Sequence, residues 1–304
     1  MVRVVIIGGV GRFITEELAS QGKHEVIVWT RKDPSTLQIP NVKAVKVTDY
    51  TDHAALVRNL QGAHTVLAFI SPTSDPESRC QKALIDACVA AGVKRFAPSE
   101  WAGEKTVLEY ALFQPGLLMD YLAHPCPPSK HMSTFPMFFD LVGARAIVVE
   151  DDLAPMVVTA ANDVAKVVAR AIDSVEPLSP HNGGGIVGEK TSMMEIIHLA
   201  ERITGNVTPL QKFHLDRLHV SDLQAGQFKS SWIPTFAKKI TPEQVDTLLI
   251  PFLTGWVLGI HNGMIDMQPD WNRRFPDLKF VSVEEMLRGA WERIQAAGHD
   301  RSQV

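Results

Sequence analysis

Gly8, Gly9 and Gly11 stand between a largely β-branched run, Val2 to Ile7, and a segment, Arg12 to Gln21, in which Phe13, Ile14 and Leu18 fall at helical spacing. A strand, a glycine turn and a helix in that order can take a dinucleotide pyrophosphate. Glycine lets the backbone come close, and the helix N-terminus offers unpaired N–H groups and positive potential. Val28 to Lys32 close the next apolar run, and they end on two cations, Arg31 and Lys32. On such a topology an acid at this place binds the 2′-hydroxyl of NAD and a cation the 2′-phosphate of NADP, so NADPH is the expected cofactor. Other chemistries find less support. The eleven histidines include no His-x3-His pair, and Glu195 with His198 has no second pair beside it, so no metal site is expected. No Gly-x-Ser-x-Gly elbow accompanies Ser99. Lys130 and His131 lie in the proline-rich stretch His124 to Pro136, an irregular loop from which side chains could reach a substrate.

The elements needed to hold these residues alternate along the first hundred positions. Strands are expected over Val2 to Ile7, Glu25 to Trp29, Val42 to Val47, Thr65 to Ile70 and Lys94 to Ala97, with helices over Arg12 to Gln21, Asp52 to Leu60 and Glu77 to Ala91 between them. Strands separated by helices imply a parallel doubly wound sheet, a Rossmann-like α/β core. Leu108 to Phe113 reads as a sixth strand, Arg145 to Val149 as another, and Asn162 to Ser174 as a helix. The Pro- and Gly-rich stretch Pro177 to Gly188 suggests a boundary between a dinucleotide-binding domain, 1–176, and a smaller, mainly helical substrate-covering domain, 177–304, the two interleaved. In the latter, helices are expected at Ser192 to Thr204, Leu215 to Gly226, Pro242 to Leu258 and Val283 to Ala297.

Composition narrows the class. The 304 residues carry 30 basic and 34 acidic side chains, a formal charge of −4, without the cationic stretch that nucleic-acid binding needs. Cys80, Cys88 and Cys126 are too few for a disulfide framework, which fits a reducing cytoplasm. The N-terminal apolar run is too short for a secretory signal. The uncharged stretch Thr247 to Ile265 is broken by Pro251, Gly255 and Gly259 and reads as a buried or interface helix, so no membrane attachment is expected.

Three stretches, His24 to Arg31 (HEVIVWTR), Gly92 to Glu100 (GVKRFAPSE) and Leu108 to Leu122 (LEYALFQPGLLMDYL), resemble the NmrA-like and isoflavone-reductase-like proteins, atypical members of the short-chain dehydrogenase/reductase superfamily, and particularly their fungal branch. A looser likeness continues through Asp163 and the Gly183 to Gly188 loop to Lys229, Ser230, Ser231 and Trp232. The resemblance implies that Gly8, Gly9, Val10, Gly11, Arg12 and Phe13 face the phosphates and that Thr30, Arg31 and Lys32 face the adenosine ribose. Asp49 and Tyr50 would lie beside adenine. Ile70, Ser71, Pro72, Pro98, Ser99 and Glu100 would flank the nicotinamide half, and Trp101, Pro115 and Gly116 would border the substrate cleft.

Two departures from the family fall beside the cofactor. The family loop reads Gly-x-x-Gly-x-x-Gly before an Arg, and with Gly11 as the third glycine the turn here is about three residues short. The family also places a helix bearing its catalytic lysine before the strand matched by Leu108 to Phe113. Only ten residues, Pro98 to Val107, are available, fewer than a parallel crossover takes. Lys105, the lysine in that gap, is the candidate general acid. Loss of hydride transfer, a different acid, or segments omitted from the sequence would each explain the shortage. The first expectation is an NADPH-dependent oxidoreductase reducing a C=O or conjugated C=C bond of a small aromatic or polyketide-like metabolite. The alternatives are a non-catalytic NADP(H)-sensing regulator that binds a protein partner, and a non-redox isomerase or cyclase on the same fold.

Overall fold

The computed structural model describes residues 1–8, 11–70, 75–98, 109–129, 132–150, 153–174, 184–205, 212–234 and 241–298. Its first unit comprises Met1–Gln114, Val164–Ile186 and Pro269–Leu278. Here β1 (Arg3–Ile7), α1 (Arg12–Gln21), β2 (Glu25–Thr30), β3 (Val42–Lys46), α2 (His53–Leu60), β4 (Thr65–Ala68), α3 (Arg79–Ala90), β5 (Arg95–Ala97) and β6 (Glu109–Tyr110) follow one another. All six strands pair in parallel in the order β3-β2-β1-β4-β5-β6, the doubly wound Rossmann-like arrangement. Val4, Val5 and Ile6 are wholly buried, as a β-branched run covered on both sheet faces must be. Gly22 ends α1 in the left-handed region at φ 63°, its N–H returning to the Ala19 carbonyl. Asp52 starts α2 by accepting from Ala55 N at 2.9 Å.

One face of the sheet packs Val5, Ile7, Ile27 and Trp29 against Leu56 and Leu60 of α2 and Leu84 and Ala87 of α3. The opposite end of the strands is fastened to the helix Ala161–Asp173. Arg95 is buried and donates to the carbonyls of Ala171, Ile172 and Ser174, and Asp173 accepts from Lys23 at 2.6 Å and pairs with His24 at 2.7 Å. Phe113, Trp271 and Phe275 form a stack, and the Trp271 indole N–H donates to the Leu112 carbonyl at 2.7 Å.

The second unit, Pro115–Asp163, Val187–Gln268 and Lys279–Val304, holds β7 (Leu117–Leu118), β8 (Phe139–Asp140), β9 (Arg145–Val149), β10 (Met156–Thr159), β11 (Glu189–Thr191) and β12 (His214–Leu218). They make two three-stranded sheets, β11-β10-β7 and β12-β9-β8. Its core joins Phe138, Ile147 and Val158 to Ile196 and Ala200 of the helix Met193–Gly205 and to Leu287 and Ala290 of the helix Val283–Ala296.

The structure corrects several expectations. The C-terminal part is helical as expected, and the compact unit it belongs to also carries two sheets and takes in residues 115–163, the chain crossing between units repeatedly. One of those crossings, Ile186 to Val187, falls within Pro177 to Gly188. Leu215 to Gly226 is not one helix: its start belongs to β12, paired with β9 from Leu215↔Ala146 to Leu218↔Val149, and only Val220–Gln224 is helical. Pairing across 69 residues of sequence overrides a local helical spacing there. The sixth strand shortens to Glu109–Tyr110 yet stays parallel to β5, although only eleven residues separate Ala97 from Glu109. The helix expected from Glu77 begins at Arg79, since Glu77 and Ser78 take φ of 59° and 54°, outside the helical region.

Candidate functional site

The carboxyl ends of the parallel strands gather most of the described candidate residues. Chain order reverses between β1 and β4, so the crevice beyond those two ends is where this topology binds ligands. Gly8 leaves β1 at φ 104°, and a Cβ on it would lie 2.0 Å from the Phe69 carbonyl oxygen. Phe69 in turn donates its N–H to Ile7 O at 2.6 Å, drawing the turn down between the two strands. Gly11 precedes α1, and its Cβ would meet the Phe69 ring at 2.8 Å and Ile6 at 2.9 Å. No side chain caps α1 and no acid occupies its first turn, while Arg12 is held by Glu16 at 3.1 Å. By contrast, Asp75 is buried at the N-terminus of α3 and accepts from Cys80 N at 2.8 Å and Gln81 N at 3.1 Å. A diphosphate would therefore find donors on α1 and a carboxylate on α3, and the tight glycine turn at α1 fits such a group.

At the end of β2, Thr30 Oγ1 accepts from Lys32 N at 3.0 Å, and Arg31 and Lys32 emerge exposed with no carboxylate ion pair among the described residues. The neighbouring acid, Asp33, is committed elsewhere. It accepts from Ser35 N at 2.9 Å and Ser35 Oγ at 2.8 Å, capping a short 3₁₀ turn, and those bonds hold its carboxyl below the usual range. Asp49 is likewise a turn former, accepting from the N–H and hydroxyl of Thr51, which lower its pKa. Tyr50 is half-buried. Burial raises its phenol, Arg31 opposes that, and Cys80 adds to it. Burial first, then Asp75, raises the Cys80 thiol, and Arg31 opposes. Arg31 thus lies within electrostatic reach of both Tyr50, after β3, and Cys80, in the first turn of α3.

Phe13, Ile70 and Pro98 are half-buried, Ile70 against the core under α2 and α3. Gly116 belongs to the second unit, where φ 65° and the Val157 carbonyl, 2.1 Å from the place of a Cβ, require glycine; Pro115 precedes it. Gly9, Val10, Ser71, Pro72, Ser99, Glu100, Trp101, Lys105, Lys130 and His131 lie outside the described residues. Sequence reasoning missed Phe69, Asp75 and Cys80. Phe69 directly precedes Ile70, and that adjacency was its one signal. Among the described residues no three His, Cys, Asp or Glu side chains group as a metal site, and no helix is long and apolar enough to cross a membrane.

A family model described as NAD(P)H-binding matches residues 7–120. The protein named Oxidoreductase BOA1 from Botryotinia fuckeliana (strain B05.10) is 32% identical over 239 residues, 69% of this chain and 78% of that protein. Among solved structures, AtPrR2 with NADP+ and (+)pinoresinol superposes with a TM-score of 0.63 at 16% identity, over 95% of this chain and 98% of its own. NmrA, a negative transcriptional regulator, superposes with a TM-score of 0.59 at 15% identity, over 99% of each chain. At such identities the two structural likenesses speak for the fold alone.

Proposed function

This chain belongs to the NmrA-like and isoflavone-reductase-like family, and we propose from that membership that it is an NADPH-dependent oxidoreductase reducing a C=O or conjugated C=C bond of a small aromatic or polyketide-like metabolite. The observation that carries the cofactor preference is the end of β2. Two exposed cations, Arg31 and Lys32, follow β2, the place from which this topology would hold a ribose 2′-phosphate, and the adjoining acid, Asp33, is spent on its own turn. The name of BOA1 and the ligands of AtPrR2 support the reductase reading. Bound NADPH supplies a hydride for the substrate carbon. The chain's own residues have narrower tasks. Gly8, Gly11, Arg12 and Phe13 bring the α1 N-terminus to the diphosphate. Arg31 and Lys32 hold the 2′-phosphate, Tyr50 borders adenine, and Ile70 and Pro98 flank the nicotinamide half. Lys105 is the proposed proton donor to the reduced substrate.

One observation favours a second reading. The eleven residues between β5 and β6 leave little chain where the family carries its lysine helix, which suits a regulator that senses NADP(H) without turning it over. Titration with NADPH and NADP+, followed by NADPH consumption over a panel of carbonyl and enone substrates, separates the readings. Binding with consumption is the expected result. Binding without consumption on any substrate favours the regulator, and no binding of either form overturns both.

A further inference from the structure

Trp29, next to last in β2, is 2% exposed, yet its indole Nε1–H meets no acceptor among the described residues. Buried donors are almost always paired, and an orphan loses its hydration with nothing in return, so this one asks for a reason. Its position supplies one. Trp29 faces the core that α2 and α3 pack, and Arg31 follows it by two residues, just past the end of β2. Tyr50 and Ile70, which follow β3 and β4, pack against that same core. Arg31 is near enough to Tyr50 and to Cys80 to act on both electrostatically. The orphaned donor therefore lies in the core that Tyr50 and Ile70 border, two residues along the chain from the cation assigned to the 2′-phosphate.

We propose that the Trp29 Nε1–H is a recognition donor for the adenosine half of the cofactor, paired when that half binds and idle when it does not. The inference rests on the cofactor reading above and adds a residue to it. An indole can donate and cannot accept, so it selects a ring nitrogen or ribose oxygen on the ligand, which adenosine presents in several places. Together with Arg31 it makes the adenosine 2′-phosphate, rather than the nicotinamide, the end by which the molecule is held.

The probe is 2′,5′-ADP, which carries the adenosine and its 2′-phosphate without the nicotinamide, with nicotinamide mononucleotide as the converse probe. Trp29→Phe keeps a large aromatic ring and removes the N–H. In the full-length protein it is expected to weaken 2′,5′-ADP and NADPH about tenfold, as loss of one hydrogen bond does, and to leave nicotinamide mononucleotide unchanged. Because Phe fills less of this buried place than Trp, the melting temperature without ligand is expected to fall modestly, and the affinities are compared at a temperature where both proteins are folded. Unchanged affinity for 2′,5′-ADP overturns the inference while the cofactor reading stands, and leaves the indole a packing role alone. Wild-type protein that binds neither 2′,5′-ADP nor NADPH overturns both. A second measurement needs no variant. In protein labelled with ¹⁵N at tryptophan, the assigned Trp29 indole proton should move downfield on adding 2′,5′-ADP, and a signal that stays in place counts against the proposal as firmly as an unchanged affinity.

Discussion

Gly8 and Gly11 look interchangeable in sequence, but their surroundings give them different costs of substitution. At Gly8 an added methyl meets a backbone carbonyl at 2.0 Å and the φ of 104° is itself unfavourable to an L side chain, so neither strain can relax without moving β4. At Gly11 the obstacles are the Phe69 ring and an Ile6 methyl, both side chains able to shift. Gly11→Ala should cost about 1–3 kcal/mol in urea unfolding, as overpacking does, and Gly8→Ala distinctly more. Arg31→Asp replaces an attraction for the 2′-phosphate by a repulsion. It should weaken NADPH about 100-fold, the worth of a charged hydrogen bond, and NADH far less, with the contrast shrinking as salt screens the exposed pair. Equal losses for the two cofactors would remove Arg31 from its assigned role. Asp120 gives a pH prediction. It is 1% exposed, burial raises its pKa, the Ala161, Asp120 and Ser129 N–H groups oppose that, and Asp163 adds to it. A raised folded-state pKa means the folded protein holds this proton more tightly than the unfolded chain. The stability that Asp120 contributes is therefore complete below the ordinary carboxylate value of about 3.9 and is lost as pH rises through the elevated one. Asp120→Asn keeps an acceptor for Ala161 N–H and has no charge to bury, so chemical denaturation should show it gaining on wild type above that window and not below it.

Helix ends show how far local chemistry reaches. Ser282 caps the helix Val283–Ala296 in a reciprocal box, accepting from Glu285 N at 3.2 Å while the Glu285 carboxylate accepts from Ser282 N at 2.9 Å. Ser282→Ala should cost about 1 kcal/mol by thermal or urea unfolding, and a neutral result would mean that the core contacts of Leu287 and Ala290 alone decide this helix. The same locality explains which elements were legible. The runs forming β1, β2 and β4 are buried on both faces and announce themselves by β-branched composition, and Gly22 and Asp52 mark helix ends by residue type. β7, β8 and β11 span two or three residues, too few to display any period, and β12 exists because β9 lies beside it. The site divides along the same line. The glycines and the Arg31–Lys32 pair are neighbours in the chain and could be read there. Phe69 and Trp29 come to neighbouring strand ends through sheet order, and Cys80 through the start of α3, which no stretch of sequence displays.

At the scale of the molecule, neither unit is a continuous length of chain. The first unit includes Val164–Ile186 and Pro269–Leu278, and Trp271 of the latter stacks on Phe113 at 4.8 Å and donates to Leu112 O. Residues 115–163 meanwhile place Phe138, Ile147 and Val158 in a core completed by Ile196 and Leu287. A fragment ending at residue 176 would therefore keep the glycine turn, Arg31 and Tyr50, yet lack the Trp271 stack and expose half of the second core. Its expected behaviour is no cooperative melting transition and no NADPH binding. The full chain should melt cooperatively and gain about 2.7 kcal/mol at a cofactor concentration 100 times Kd, by mass action alone. That gain appears whether the protein turns NADPH over or merely senses it, because it depends on binding to the folded state only. Should fragment 1–176 instead melt cooperatively and bind NADPH as tightly as the full chain, the cofactor site would owe nothing to Pro269–Leu278, and interleaving would be a matter of chain path without energetic consequence.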